Sequence, residues 1–329
     1  MRTLLSLAAI LAASAMLAGC FELKQDASLN PDGSGKAVVE LTMPDMGAMG
    51  MSMGMDDKAP PPDPEVTLKQ FAKQTLDDSK GVEAWSDVSF ARTEDGRMKF
   101  KGTAYFKDFA TMHVGQGQGG DGVFRKDDKG GMVLEMTMSE DEAKAPEPPA
   151  KTPPPSAEEL AKQIQAQRLQ YQQMRPMMEM MLGKMKVEMT FRLPGTLAEV
   201  SGFEKQPDGS VRIAMDGAKM LQAMDQLNAD DAYVRQAILA GKKPGAEKMD
   251  PAVMEKMFGT KGPFRARVTG DLKPLFDYAA AVKAAKEAYP KMIEKLGLDK
   301  LPPATAPHIS ISPPTGPTAP ENAPPAAQP

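Results

Sequence analysis

The fold of this chain is decided first by the turn sequence NPDGSG at residues 30–35. It separates two segments of strand-like character, 21–29 and 36–43. Asn, Pro, Asp and Gly supply the backbone angles that a reversal between two antiparallel strands requires. The pattern therefore predicts a β-hairpin near the start of the chain.

Similar turns recur further along the chain, each with an aspartate beside or near a glycine. Strand-like segments flank them, so they predict three more hairpins and an antiparallel sheet. None of the four turns has the acidic spacing and closing glutamate of a calcium loop, and we interpret them as ordinary turns. The three further turns are Asp95-Gly96 before segment 98–106, 128–131 before 132–138, and Asp208-Gly209 before 211–215.

Helix signals lie between the hairpins. A first helix is predicted to start at Asp63-Pro64 and to end near Gly81, and a second starts at Ser156 because Glu159 completes a capping box. Further helices are predicted at 218–227, 232–239, 252–258 and 275–296. Hairpins that alternate with amphipathic helices place the chain in the α+β class.

The second helix carries a long apolar stripe at alternating steps of four and three residues, with a kink predicted at Pro176. The stripe predicts the face that packs against the rest of the protein. It consists of Leu160, Ile164, Gln167, Tyr171, Met174, Met178 and Met181.

Proline-rich segments divide the chain of 329 residues. Segment 143–155 is predicted to be an extended linker, and 302–329, with ten prolines in 28 residues, a disordered tail. The tail is a plain solvated terminus, a polyproline II ligand or a segment that reaches toward peptidoglycan. The linker separates a hairpin and helix half at 20–142 from an α+β half at 156–301. The two halves form either two domains or one shared core.

The N-terminal segment has the pattern of a secretory signal peptide, predicted at 1–19. Arg2 precedes an apolar run at 4–17, which is shorter than the roughly 18 residues of a spanning helix. Its end, LAGC at residues 17–20, resembles the lipobox of bacterial lipoproteins. The resemblance implies cleavage between Gly19 and Cys20, a diacylglyceryl group on the Cys20 sulfur and an N-acyl chain such as palmitate on its amino group.

Location follows from the same resemblance. The mature protein is expected to be anchored to a cell membrane outside the cytoplasm. Phe21 stands where an aspartate is the usual signal for retention in the inner membrane. The periplasmic face of the outer membrane is therefore favoured if the organism has one.

Two short segments resemble LppM-type envelope lipoproteins: DGSGKAVVE at residues 32–40 and FRLPG at residues 191–195. That resemblance implies an α+β body and carries no catalytic residues over to this chain. Its members are mostly of unknown function.

Several motifs of enzymes occur out of their structural context. GMSMG at 50–54 has the spacing of a nucleophile elbow but lies in a glycine and methionine loop, and the glycine-rich 115–120 precedes a strand rather than a helix. His113 and His308 have no companion ligands at zinc spacing. We therefore predict a non-catalytic protein, with an envelope hydrolase as the weaker alternative.

Six methionines form the strongest chemical cluster, since they lie within 13 residues among glycines and small residues. Thioethers select Cu(I), and the spacing resembles the Met-rich segments of periplasmic copper proteins. The cluster predicts, as an alternative function, a Cu(I) site in the loop 43–55. The methionines are Met43, Met46, Met49, Met51, Met53 and Met55.

A formal charge of -4, with both signs interspersed, argues against nucleic acid and against a basic membrane-binding face. The expected function is that of a binding or structural module of the envelope. Its expected partners are the membrane, through the anchor, and an envelope protein or lipid ligand.

Overall fold

The computed structural model describes residues 21–45, 63–114, 121–137, 155–240, 251–260 and 262–301. The signal peptide, the tail and all but Pro155 of the predicted linker lie outside these ranges. The described residues form two β-sheets and six α-helices, which confirms the α+β class. The strands are β1 (Glu22–Leu29), β2 (Gly35–Met43), β3 (Val82–Arg92), β4 (Met98–Phe106), β5 (Asp121–Lys126), β6 (Met132–Thr137), β7 (Lys186–Arg192), β8 (Thr196–Ser201), β9 (Glu204–Lys205), β10 (Val211–Asp216) and β11 (Phe264–Thr269).

The helices begin and end close to the predicted signals. Asp63 caps α1 with its carboxylate, and Ser156 and Glu159 form both hydrogen bonds of the predicted capping box. Gly297 ends the last helix in the left-handed conformation that glycine adopts without strain. The helices are α1 (Pro64–Asp77), α2 (Ala157–Leu182), α3 (Gly217–Ala229), α4 (Asp231–Leu239), α5 (Pro251–Phe258) and α6 (Tyr278–Leu296).

The larger sheet has seven strands in the order β3-β4-β2-β1-β7-β10-β9. Its hairpins are antiparallel, and the first pairs β1 with β2 from Glu22 opposite Thr42 to Leu29 opposite Gly35. On its other side β1 pairs with β7 in parallel, a contact that no hairpin pattern predicts. The N-terminal strand is therefore the middle strand of the sheet, hydrogen-bonded on both edges.

The smaller sheet has four strands in the order β5-β6-β11-β8. It combines the predicted hairpin β5-β6 with β11 and β8, two segments for which the sequence pattern predicts no strand. The chain passes from β7 in one sheet to β8 in the other through Pro194 and Gly195, whose positive φ of 96° suits glycine. Each sheet thus contains strands that precede segment 143–155 in the chain and strands that follow it.

The two sheets enclose the main hydrophobic core. Phenylalanine rings run through it in an unbroken series, with centroids of successive rings 5.1 to 6.0 Å apart. Such edge and tilted contacts stabilise a core by about 0.5–1.5 kcal/mol each beyond burial. The series consists of Phe106, Phe109, Phe191, Phe203, Phe264 and Phe258.

A second apolar cluster lies at the β3 and β4 side of the larger sheet. Trp85 and Phe100 meet edge to face, and α1 covers them with Ala72 and Leu76. Helix α6 packs along β3, where Val282 is buried next to the same edge. It thereby shields an edge strand whose open hydrogen-bonding groups would otherwise invite pairing with another chain.

Helix α2 continues unbroken through Pro176 and packs on α3 and α4. Its predicted stripe is the covered face of the helix except at its end: Leu160 is buried, the next five positions of the stripe are half-buried, and Met181 is 53% exposed. The helix contacts two short helices rather than a sheet, which leaves Met181 uncovered.

Candidate functional site

The predicted lipidation site, Cys20, lies just outside the described residues, as does Gly19. Phe21 is the first described residue, and β1 begins at the next one. Of the six methionines in the predicted copper site the structure describes only Met43, which is half-buried at the end of β2. Met46, Met49, Met51, Met53 and Met55 lie outside the described residues, as do both glycine motifs and His308.

The residues that follow Cys20 are held firmly in the sheet. The carbonyl oxygen of Phe21 accepts a hydrogen bond of 2.9 Å from the backbone amide of Lys186, and the Phe21 ring packs against both main apolar clusters. The Glu22 carboxylate accepts a hydrogen bond of 2.7 Å from Arg97. A group attached to Cys20 would therefore connect to the body without an intervening tether.

Arg92 joins the two ends of the segment that contains the other methionines. Its Nη2 atom lies 2.7 Å from the Asp45 carboxylate and 3.0 Å from the carbonyl oxygen of Pro64. Residues 45 and 64 are therefore held close together beside the end of β2.

The end of α2 lies at the same end of the sheet. After Leu182 the chain turns at Gly183 and enters β7, whose first residue, Lys186, is paired with Glu22. Helix α3 starts here as well, because the Gly217 amide donates a hydrogen bond of 2.8 Å to the carbonyl oxygen of Met185. No sequence pattern predicts that these segments meet, since they are far apart along the chain.

A groove of about 700 Å³ opens at the opposite end of β1, between the first turn and the short 3₁₀ helix Phe109–Thr111. Its two carboxylates are already engaged: Asp32 accepts hydrogen bonds from the Ser34 amide and hydroxyl, and Asp108 accepts one from the Ala110 amide. Both carboxylates therefore hold turns in place. The lining residues are Asp32, Gly33, Lys107, Asp108, Thr111 and Phe124.

His113 is paired through its backbone with Lys80 rather than lying in an open loop, and its Nδ1 atom is 3.1 Å from the carbonyl oxygen of Thr111. Within the described ranges, no three His, Cys, Asp or Glu side chains come together as a metal ion would require. None of the described helices combines the length and apolarity needed to cross a lipid bilayer.

Two carboxylates with a lowered pKa, those of Glu40 and Asp225, lie in ion pairs away from the groove. Hydrogen bonds from Lys99 and Lys101 lower the pKa of Glu40 from 4.5 to about 2 on the outer face of the larger sheet. A hydrogen bond from Arg175 lowers the pKa of Asp225 between α2 and α3. Both shifts reflect pairing that stabilises the fold.

Comparison with known proteins adds little to this geometry. No protein-family model matches the chain, and no curated protein matches it in sequence. Among solved structures, the folded domain of LppM from Mycobacterium tuberculosis, determined by NMR, is similar with 11% identity and a TM-score of 0.28. The likeness covers 61% of this chain and 85% of that domain.

Proposed function

We propose that this protein is a lipid-anchored protein of the bacterial cell envelope that acts as a non-catalytic binding or structural module. The observation that carries the proposal is the sequence LAGC at 17–20, followed within two residues by the central strand of the larger sheet. A diacylglyceryl group and an N-acyl chain on Cys20 would attach the membrane directly to the middle strand of the larger sheet.

The lipid anchor suits the chemistry of stable attachment. Each buried methylene contributes about 0.8 kcal/mol, so one acyl chain binds a membrane only marginally, whereas two or three hold a protein in place. Phe21 after the cysteine favours the periplasmic face of the outer membrane in an organism that has one. The module itself would act on an envelope protein or a lipid within reach of that surface.

The test is the variant Cys20→Ala, which removes the only sulfur that could be acylated at this position. We expect the parent to partition into the detergent phase and its N-terminal peptide to carry the acyl mass. The variant should remain uncleaved or partition into water. Ser14→Ala, which alters the same signal segment but keeps the sulfur, is the matched control and should behave like the parent. A Cys20→Ala protein that is cleaved like the parent and still partitions into the detergent phase would refute the anchor.

Cu(I) binding by residues 43–55 is a second candidate function. One observation favours it: Arg92 draws Asp45 and Pro64 together, so the two ends of the segment that contains five of the methionines lie close to each other. Under reducing conditions and against a competing chelator, a copper site would retain stoichiometric Cu(I) in the parent.

The variant for this test replaces Met49, Met51 and Met53 with Leu, which keeps volume and apolarity but has no thioether sulfur. The control replaces Met177, Met180 and Met181, which lie outside this loop. Loss of Cu(I) in the first variant alone would support the site. Equal retention in both variants would exclude this loop as the ligand.

A further inference from the structure

Three exposed large apolar side chains of the described residues lie close together at the end of α2. Eight such side chains are exposed by more than a third, and three of them lie within five residues at the end of α2. They are Met177, Met180 and Met181, with exposed fractions of 46%, 52% and 53%. We refer to these three as the methionine surface. Scattered exposed apolar residues are ordinary, but a contiguous group indicates an interaction surface.

The rest of α2 explains why these side chains point outward. Tyr171 and Arg175, one to two turns earlier, bind Asp225 of α3, at distances of 2.6 Å from the Tyr171 hydroxyl and 2.8 Å from Arg175 Nε. Leu182, just beyond, packs into the apolar cluster that α3 forms with α5. The side of α2 that carries Met177 and Met180 is turned away from these contacts, because positions three apart share a helix face.

The methionine surface lies close to the lipidation site. Met181 is five residues before Lys186, and the chain between them can span at most about 18 Å. The Lys186 amide in turn donates its hydrogen bond to Phe21, the neighbour of Cys20. Both the anchor and the methionine surface are therefore at the same end of the larger sheet.

Positive charges border this surface. Lys184 and Lys186 follow α2 and are exposed, and Lys219 is exposed in the first turn of α3. The one acidic side chain on the last turns of α2, Glu179, is paired with Arg175 at 3.1 Å. Two acidic residues, Glu22 and Asp216, lie opposite Lys186 on the neighbouring strands. Glu22 is paired with Arg97, and Asp216 caps α3. Apolar side chains bordered by lysines are typical of helices that rest on a membrane with anionic head groups.

We propose that the methionine surface rests on the lipid surface into which the acyl chains of Cys20 insert, with Lys184, Lys186 and Lys219 against its anionic head groups. The inference builds on the proposed lipid anchor. The unbranched thioether side chains of methionine adapt to an irregular surface such as the acyl boundary. Two points of contact, the anchor and the end of α2, give the body a defined orientation on the membrane.

The test uses the lipidated protein in vesicles of phosphatidylethanolamine with a minority of phosphatidylglycerol. Cys20 is the only cysteine and is blocked by acylation, so Met180→Cys can carry a single environment-sensitive NBD label. We expect its emission to shift to the blue and to increase when vesicles are present. The control is Leu275→Cys, which is 44% exposed and lies beside Asn30 at the far end of β1. The emission of the label at position 275 should remain that of a probe in water when vesicles are added.

The outcomes separate this inference from the proposed function. Intact mass first establishes whether Cys20 is acylated, and an unmodified cysteine would refute the anchor and the inference together. An acylated protein whose probe at position 180 stays aqueous would refute the inference and leave the anchor intact. If the blue shift increases with protein concentration in the absence of vesicles, the methionine surface binds a second copy of the chain. That result would refute the proposal.

Discussion

At the residue scale, ion pairs across strands organise the outer face of the larger sheet. Glu40 lies opposite Lys101 on β4 and opposite Lys24 on β1, and its carboxylate is 2.8 and 2.9 Å from the ammonium groups of Lys99 and Lys101. These contacts favour the charged carboxylate and lower the pKa of Glu40 to about 2. Because the unfolded chain holds the proton more tightly, the pair stabilises the fold above pH 4.5 and loses this effect as the pH falls toward 2.

We therefore predict that Glu40→Gln lowers the free energy of unfolding by about 1 kcal/mol at pH 7, after allowance for solvent screening, and by much less near pH 2. Urea unfolding followed by the fluorescence of Trp85 measures both values. The control is Glu94→Gln in the exposed β3-β4 turn, which should change stability little at either pH. A loss for Glu40→Gln that is the same at both pH values would contradict the pairing.

Gly217 shows how a single residue determines the junction between α2 and α3. A Cβ atom at this position would lie 1.7 Å from the carbonyl oxygen of Leu182, and the backbone amide is already bonded to Met185. We predict that Gly217→Ala lowers the free energy of unfolding by about 3 kcal/mol, since the backbone must shift to make room. Thermal unfolding measures the loss.

Gly262→Ala is the matched control for this substitution, because its added Cβ would meet nothing closer than 4.0 Å. It should change stability by only a few tenths of a kcal/mol. Equal effects of the two variants would mean that the contact between α2 and α3 is not as close as described.

At the scale of elements, α2 is held by polar contacts more than by burial. Within the described helix Leu160 is the one buried residue, whereas Arg175 forms two hydrogen bonds with Asp225, and Arg168 bonds to the carbonyl oxygens of Asn228 and Ala229. The hydrogen bond from Arg175, joined by one from Tyr171, lowers the pKa of Asp225. The helix is therefore expected to open more readily than the sheets.

We predict that Asp225→Ala speeds amide exchange in α2 and α3 several-fold and leaves β1 and β7 unchanged, since about 1 kcal/mol of local stabilisation is lost. Hydrogen exchange with mass spectrometry follows each segment separately. Asp271→Ala removes an equally simple ion pair, with Lys273 in an exposed loop, and should leave α2 unaffected. Faster exchange in the sheets as well would show that α2 and the core open together.

At the scale of the whole molecule, the membrane attachment would lead straight into the centre of the fold. Strand β1 is bonded to β2 on one side and β7 on the other, and Asn30 at its end is buried and bonded to the backbone of Leu275. We predict that trypsin does not cut after Lys24 or Lys36 in the native protein, because cleavage requires a locally opened strand.

Limited digestion of the protein in detergent micelles, followed by mass spectrometry of the fragments, checks this expectation. The same digestion in urea is the control and should release a peptide that ends at Lys24. Rapid native cleavage at Lys24 would show that β1 is a loose tether rather than the central strand.

The sequence by itself determined the features that depend on neighbours along the chain. The turn at 30–35, the caps at Asp63 and Ser156, and the helix end at Gly297 were all predicted, because their hydrogen bonds join residues only a few positions apart. The proposed lipidation signal at Cys20 rests on the same kind of local pattern. It identifies Cys20, one of the two parts of the candidate site, from the sequence alone.

Only the tertiary structure decided which strands and surfaces meet. The parallel pairing of β1 with β7, the division into two sheets and the position of α2 beside Phe21 all join segments far apart in the chain. Alternating apolar residues require that a face be buried but do not specify its partner. The stripe on α2 likewise predicted burial of Met181, and the structure exposes it because the surface available from α3 and α4 is too small to cover the whole helix.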